Sequence, residues 1–199
     1  MMTLLIVTLS FIYAELVGYW LHVLLHSYAI PALSREHMNH HILSYAPGKP
    51  QRSLDYVQKV KDNSVLIAGI GPEWFIPAIL ILGVTIGVEW LIGLSWMQIT
   101  LSVSAILLYV ALLFSVLHTS LHLKKSRLLR IPGVRRWFRH ARRLHDIHHH
   151  HVTDDGLMNV NYGIAFFGFD RVFGTYRARL GKLNRQGISK AKERLSSEG

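Results

Sequence analysis

The chain alternates between long apolar stretches and shorter polar ones. The first apolar stretch covers residues 2–26 and is interrupted only by Glu15, His22 and His26. Two more cover residues 74–94 and 97–118, joined by a short uncharged turn. Each has roughly the 20 residues that a helix needs to cross a hydrocarbon core of about 30 Å. The apolar run at residues 64–71 is too short to span and is expected to lead into the second helix. The pattern predicts an all-α integral membrane protein with about three transmembrane helices.

Two other interpretations of these stretches stay open. Residues 1–14 could belong to a signal peptide, although no basic residue precedes the apolar run. Residues 74–118 could form a buried hairpin of a soluble protein.

Lys and Arg avoid the apolar stretches. All 22 of them lie in residues 35–61 or 124–194, and the formal net charge is +10. With three crossings, residues 27–73 and 119–199 lie on one side of the membrane and carry every positive side chain. The positive-inside rule puts that side in the cytoplasm and the N-terminus on the opposite side. The charges therefore predict a multi-pass protein with a cytoplasmic helical cap.

The segment from Lys124 to Arg143 mixes nine basic residues with apolar and aromatic ones. It predicts a helix-turn-helix run, broken at Pro132 and Gly133, that lies on an anionic leaflet. Nucleic-acid binding is the alternative for such a patch, but no nucleic-acid partner is expected for a protein held at a membrane. A membrane domain is expected over residues 1–180, followed by a loose polar tail over residues 181–199.

Histidine and cysteine counts restrict the possible chemistry. The chain has 13 His and no Cys. The missing Cys excludes disulfides, Cys-ligated zinc, iron–sulfur clusters and a thiolate nucleophile. A metal would be bound by imidazole and oxygen, which suits iron, zinc or copper.

Ten of the 13 His fall into four groups with helical spacing. They are His22 and His26; His37, His40 and His41; His118 and His122; and His145, His148 and His149. Residues i, i+3 and i+4 share a helix face, whereas adjacent residues point about 100° apart. One H-x-x-H-H triplet can therefore serve two neighbouring metals. The charge-derived topology brings all four groups to the cytoplasmic face, which predicts a dinuclear His-ligated site. His140, His150 and His151 are expected nearby or at the surface.

Several acidic residues are candidates for supporting roles. Glu15 lies on the same helical face as His22, about two turns deeper in the membrane. It could orient a ligand, face a polar substrate group, or only pack against other helices. Asp146 could hold a neighbouring imidazole or lie at the surface. Asp170 and Arg171 are expected to form a structural ion pair.

The His groups resemble the histidine boxes of the fatty acid hydroxylase superfamily, which includes sterol desaturases, fatty acid hydroxylases and carotenoid hydroxylases. The matching segments are HVLLH (22–26), HMNHH (37–41), HTSLH (118–122) and HDIHH (145–149). NVNYGIAFFGFDRVFGTY (159–176) resembles the Asn-aromatic-Gly and W-D-R-L-F-G-T signature of the sterol desaturase branch, with Phe169 and Val172 replacing Trp and Leu. The resemblance spans roughly residues 13–177. One helix precedes the first His pair, where two are common in the family.

The resemblance implies a membrane oxidoreductase with two Fe ions and O2 as co-substrate, in which zinc can replace iron in a structure. It implies that the ten grouped His are the ligands and that Asn161 lies near the metal pocket. Family enzymes hydroxylate or desaturate lipids such as fatty acyl chains or sterol-like molecules. The run IPGVRRWFRHARRLH (131–145) instead resembles carotenoid ring hydroxylases. The substrate, the position oxidised and the oligomeric state therefore stay open.

Electrons would have to come from another protein. The chain has no dinucleotide-binding fingerprint and no Cys. A ferredoxin or a small haem protein with its reductase is expected, attracted by the net +11 of residues 119–199. The alternatives from other classes are a membrane zinc hydrolase and a metal-handling protein. Against the hydrolase, the sequence contains no H-E-x-x-H motif. Against the metal-handling protein, such a protein would place His along a path inside the bilayer, whereas the His groups here collect at one face.

Overall fold

The computed structural model describes residues 1–54 and 74–197, and this part of the chain is helical. Its α-helices are α1 Met2–Ser27, α2 Pro31–Asn39, α3 Phe75–Leu91, α4 Trp96–Ala111, α5 Val134–His150, α6 Gly168–Val172 and α7 Arg185–Ser197. A π-helical turn, His40–Ser44, extends α2, and a second one, Leu112–His118, extends α4 into Thr119–His122. The β contact within the described residues is an isolated bridge between Ser53 and Leu123. The all-α prediction is confirmed, whereas the prediction for residues 64–71 falls outside the described residues.

Two helices are long and apolar enough to cross a membrane. They are Met2–Ser27, with 26 residues, and the continuous helix Trp96–His122, with 27. The third expected span is the shorter apolar helix Phe75–Leu91. α4 packs against both α1 and α3. Their outer faces expose many large side chains, among them Leu4, Leu80 and Leu108 at 60–72%. An apolar band of this kind suits contact with lipid rather than water.

Polar side chains connect the three apolar helices. The Ser10 hydroxyl of α1 lies 2.8 Å from the Ser102 hydroxyl of α4. Ser102 also donates to the Glu89 carboxylate of α3 at 2.5 Å. The Tyr13 hydroxyl meets Thr85 at 2.8 Å. In an apolar solvent such pairs satisfy groups that would otherwise be unpaired, and they fix which helices are neighbours.

α5 lies against the C-terminal ends of α1 and of the Trp96–His122 helix, and it begins after a sharp break. Gly133 has a φ of 80°, in the left-handed region that favours glycine. Before it lies only a four-residue 3₁₀ turn, Arg127–Arg130, so the predicted helix-turn-helix is one helix preceded by a turn. Phe138 on the inner face of α5 is fully buried. Arg142 donates to the carbonyls of Ser120 at 2.8 Å and Leu123 at 2.6 Å, which ties α5 to the end of the Trp96–His122 helix.

The loose tail expected over residues 181–199 is wrong for Arg185–Ser197, which forms α7. Ala191 and Leu195 are buried in a cluster with Met38 and Ile42. Ile188 packs on the same cluster. The spacing of these three α7 residues makes a narrow apolar stripe on an otherwise polar helix. The tail therefore closes over the segment that carries the first His triplet.

Candidate metal centre

Four helical segments deliver the ten grouped His to one place. α1 carries His22 and His26 at its C-terminal end, and the Trp96–His122 helix carries His118 and His122 at its own. α2 with its π turn carries the first triplet, and α5 carries the second. All ten side chains are buried, with at most 6% of their surface exposed. π turns often mark functional sites, and here both adjoin a His group.

The His side chains form two groups whose ring nitrogens could each surround a metal ion. The first group contains His22, His26, His37, His41 and His148. The second contains His40, His118, His122 and His149. His145 adjoins the second group, since its Nε2 lies 2.9 Å from Nε2 of His122. Each triplet is thus divided between the groups, with its i and i+4 members in one and its middle member in the other.

The nitrogen–nitrogen distances suit a shared cation. In the first group, Nε2 of His26 lies 3.2 Å from Nε2 of His22, 3.1 Å from that of His148 and 3.0 Å from that of His37. In the second, Nε2 of His40 lies 3.2 Å from Nε2 of His122. Metal–imidazole bonds of about 2.0–2.1 Å place neighbouring ligand nitrogens roughly 3 Å apart. Nε2 of His26 can donate its one N–H to only one of these neighbours, and the lone pairs of the others repel it unless a cation lies between them.

His41 gives a second indication that the groups fit a metal. Its side chain is fully buried, and within the described part of the chain neither ring nitrogen has a hydrogen-bond partner. Leaving a buried polar group unsatisfied costs about 1–3 kcal/mol. A metal ion accepts the lone pair of such a nitrogen, so the residues present fit the metal that the histidine pattern implies.

Burial keeps six of the grouped imidazoles neutral. Burial is the largest cause of their lowered pKa values, and neighbouring imidazoles lower these values further. The six side chains are His37, His40, His41, His145, His148 and His149. For His40 the pKa falls to about 3. Neutral imidazole is the form that binds metal. An all-nitrogen set of this kind suits divalent iron, zinc or copper.

Backbone carbonyls hold four of the imidazoles from outside. Nδ1 of His22 meets the Tyr162 carbonyl at 2.5 Å, His148 meets Val160 at 2.7 Å, His122 meets Gln51 at 3.0 Å and His149 meets Tyr45 at 3.2 Å. A protonated Nδ1 that donates to a carbonyl leaves the Nε2 lone pair free for a metal. Sequence reasoning missed these supports, because every residue has a carbonyl and no side chain signals its direction.

Asn161 lies close to the centre, but its side chain serves the loop. It has a left-handed φ of 53° and is fully buried. Its amide donates to the carbonyls of Leu144 at 3.2 Å and Arg177 at 2.8 Å, and its Oδ1 accepts from the Arg177 N–H at 2.8 Å. The carbonyls that meet His148 and His22 belong to the residues on either side of Asn161. Its link to the imidazoles therefore runs through the backbone.

Asp170 holds the same loop, and the expected Asp170–Arg171 ion pair is wrong. The buried carboxylate accepts from the N–H groups of Tyr162 at 2.7 Å and Gly163 at 2.9 Å, and from the Thr175 hydroxyl at 2.7 Å. Arg171 instead lies over the Tyr176 ring, 4.3 Å from its centroid. Adjacent residues on a helix do not face each other, and the backbone amides satisfy the carboxylate.

The other acidic candidates lie apart from the imidazoles. Asp146 accepts from Arg52 at 2.6 Å, with both side chains 31% exposed. Burial raises the pKa of Asp146, while Arg52 opposes that rise. Glu15 accepts a hydrogen bond from the Tyr109 hydroxyl. Asp146 thus fits neither predicted alternative fully, since it is half-buried and paired with a cation.

The three remaining His lie outside both groups. His140 is exposed on α5. His150 is half-buried, with its Nε2 3.2 Å from the Gly181 carbonyl. His151 is also half-buried, and burial lowers its pKa. Their positions agree with the expectation of nearby or surface residues.

Comparison with known proteins gives one informative match. The model of the fatty acid hydroxylase family matches residues 7–175, a range that contains all ten grouped His and the loop held by Asp170. No curated protein sequence and no solved structure matches the chain significantly. The family is one of membrane-associated oxidoreductases, in agreement with the apolar helices and the buried His groups. The chain therefore belongs to the fatty acid hydroxylase family.

Proposed function

We propose that the protein is a membrane-bound, O2-dependent di-iron enzyme that hydroxylates or desaturates an unactivated C–H bond of a lipid, such as a fatty acyl chain or a sterol-like molecule. The observation that carries this proposal is the pair of adjoining groups of buried imidazoles. The ten grouped His would hold the two ions. Bound iron would supply the reduction of O2 and the removal of hydrogen from the lipid chain.

The chain's own residues would orient the ligands and limit water. Carbonyls of Tyr162 and Val160 keep Nε2 of His22 and His148 directed inward. The Tyr162 ring lies 5.6 Å from the His22 ring, with its hydroxyl donating to the Met158 carbonyl at 3.0 Å. Tyr162 therefore forms a wall of the first group that presents an apolar ring. Such a wall lets a lipid chain approach while it limits the access of water.

The proposed topology has three crossings, a cytoplasmic cap and the N-terminus on the opposite side. All 22 Lys and Arg lie in the segments assigned to the cytoplasm. The end of α1 carries His of the first group and the end of the Trp96–His122 helix carries His of the adjoining second group, which supports parallel crossings. α3 has 17 residues, about 26 Å of helix, and could complete the third crossing with interfacial residues at its ends. The membrane domain would cover residues 1–180.

The proposed electron source is a separate ferredoxin or small haem protein with its reductase. Residues 119–199 carry 17 Lys and Arg against six Asp and Glu. Arg135, Arg136, Arg139 and Arg143 are exposed on α5, which also carries the second His triplet. An acidic donor would be attracted to this face. The same charges also favour an anionic membrane surface.

The direct test is turnover with labelled oxygen. The purified protein is loaded with Fe²⁺ without air and supplied with a reductant, lipid extract of the expression host and ¹⁸O2. The proposal predicts a lipid that gains one labelled oxygen atom or loses two hydrogen atoms. His148→Ala should abolish the product and His140→Ala should not. Turnover without O2, or with zinc alone, would contradict the proposal and favour a hydrolase.

A further inference from the structure

The loop of residues 162–176, which follows the second His triplet, lies beside the middle of two long apolar helices. Its Phe166 lines two adjoining pockets, and the other walls of these pockets come from α1 residues between 11 and 19 and from Tyr109. Tyr109 is the midpoint of the Trp96–His122 helix, and the range 11–19 includes the midpoint of α1. A loop at this level of two membrane-crossing helices lies inside the bilayer.

The exposed side of the loop is apolar and continuous with the outer surface of α1. Val172, Phe166 and Phe173 are 73%, 56% and 43% exposed. The Phe173 ring lies 5.0 Å from the ring of Trp20 and 5.2 Å from that of Tyr19. Trp20 is itself 50% exposed on α1. An exposed apolar patch that continues a lipid-facing helix surface is suited to the same lipid.

The opposite side of the loop is packed against protein. Ile164, Ala165 and Phe167 are buried in a cluster that also contains Leu113 of the Trp96–His122 helix and Phe138 of α5. The loop therefore has two apolar faces, one that holds it to the helices and one that has no such partner among the described residues. A loop at a water-exposed surface would instead present polar side chains outward.

The backbone of the loop is satisfied largely from within, as a position inside the bilayer requires. The Asp170 carboxylate accepts from the N–H groups of Tyr162 at 2.7 Å and Gly163 at 2.9 Å. The Asp170 carbonyl accepts from the N–H groups of Thr175 at 2.8 Å and Tyr176 at 3.0 Å. Non-helical backbone at membrane depth is tolerated only where protein groups replace water in this way.

The charged residues of the loop also fit this position. Residues 162–176 contain two of them, Asp170 and Arg171. Asp170 is fully buried. Arg171 lies over the Tyr176 ring, 4.3 Å from its centroid, and its long side chain can extend toward the lipid headgroups while its stem stays among apolar groups.

We propose that residues 162–176 form a re-entrant loop that inserts into the leaflet on the side of the cap and binds the acyl chains of bilayer phospholipids through Phe166, Val172 and Phe173. This inference rests on the proposed function, in whose topology α1 crosses the membrane. The loop enters and leaves on one side, so the number of crossings is unchanged. Its Tyr162 carbonyl meets Nδ1 of His22, so the bilayer would also steady one support of the metal centre.

Spin labels test the insertion directly, because the chain has no Cys and each single-Cys variant carries one label. Phe166→Cys and Val172→Cys are labelled with a nitroxide in the full metal-free chain in phosphatidylcholine nanodiscs. Collisions with O2, which concentrates in hydrocarbon, are compared with collisions with chromium oxalate, an inert complex that stays in water. O2 collisions should dominate at both positions.

Two labelled positions provide the references. Leu9→Cys lies on the outer face of α1, where Leu9 is 54% exposed, and its label should give the same excess of O2 collisions. Lys192→Cys lies at an exposed position of α7, and its label should give the reverse, an excess of collisions with chromium oxalate.

A charge on the outer face separates lipid contact from packing. Val172→Asp places a carboxylate where the proposal puts acyl chains, which is costly in lipid but not in water. In the Phe166→Cys background it should lower the ratio of O2 to chromium oxalate collisions several-fold. Val172→Ala, which shortens the same side chain without adding a charge, is the matched control and should leave the ratio nearly unchanged. An equal ratio in both variants would contradict the proposal.

The outcomes separate this inference from the proposed function. If the Leu9 label meets O2 but the loop labels meet chromium oxalate, the inference is wrong and the crossing of α1 stands. If the Leu9 label also meets chromium oxalate, both are wrong. Loop labels shielded from both reagents would contradict lipid contact and show that protein, such as a second copy of the chain, covers the patch. Lipid contact of the loop without labelled product would contradict only the proposed oxidation.

Discussion

The rings of His41 and His149 stack with their centroids 4.0 Å apart and their planes 27° from parallel. His41 belongs to the first group and His149 to the second. Each is the last His of its H-x-x-H-H triplet, one on the π turn after α2 and the other on α5. The two groups therefore share a wall of imidazole, and a change at one is expected to disturb the other.

Asn161 offers a test of the carbonyl supports. Asn161→Ala loses side-chain hydrogen bonds to Leu144 and Arg177, and it places Ala at a left-handed φ. The cost should be about 3 kcal/mol of folding free energy, and metal should be released more readily. Asn161→Gly should recover the backbone part alone. Denaturant unfolding and metal release to a chelator measure the two effects. Asn159→Ala, at an exposed position nearby, is the control; if it matched Asn161→Ala, the support would not be specific.

Asp146 is predicted to have no effect on metal binding, because its partner is Arg52 and not an imidazole. Asp146→Asn should cost at most about 1 kcal/mol and should leave the metal content unchanged. Metal analysis of the purified variant, with Arg52→Gln alongside, checks this. Loss of metal in Asp146→Asn but not in Arg52→Gln would show that Asp146 acts on a His ligand after all.

The clustering of the His groups could be predicted because their spacing fixes which residues share a helix face. The supports for these His could not, since they are carbonyls whose direction depends on the path of the loops. The Asp170–Arg171 ion pair failed for a related reason: backbone amides of the Tyr162–Gly163 turn satisfy the carboxylate. For α7, the apolar stripe of Ile188, Ala191 and Leu195 was visible in the sequence. The segment was nevertheless predicted to be a loose tail, because the residues around this stripe are mostly polar.

α7 predicts that the C-terminal segment contributes to stability. Leu195 is 8% exposed and belongs to the cluster that contains Met38 and Ile42. Leu195→Ala should lower the free energy of unfolding by about 2–3 kcal/mol. Lys192→Ala, at an exposed position of the same helix, should change it little. Thermal unfolding in detergent compares the two, and equal stability of both variants would mean that the segment is loosely held.

The lowered pKa values of the imidazoles in the two H-x-x-H-H triplets predict that the metal-free protein loses stability in acid. In the folded state the pKa of His40 is about 3, below its ordinary value of 6.5. Between these values the unfolded chain binds a proton that the folded chain does not, so stability falls as the pH drops below about 6.5. The melting temperature of metal-free protein should therefore fall between about pH 7 and pH 5. A constant melting temperature over that range would show that these imidazoles are not buried in neutral form.

The count of metal ions per chain tests the central claim most directly. Protein loaded with Fe²⁺ without air and passed through a desalting column is analysed for iron and for protein. Two His groups predict about two ions per chain, with lower counts for His26→Ala in the first group and for His122→Ala in the second. The count should remain at about two in His140→Ala, whose side chain is exposed. A count of one or none in the unchanged protein, or an unchanged count in both group variants, would contradict a centre built from ten histidines.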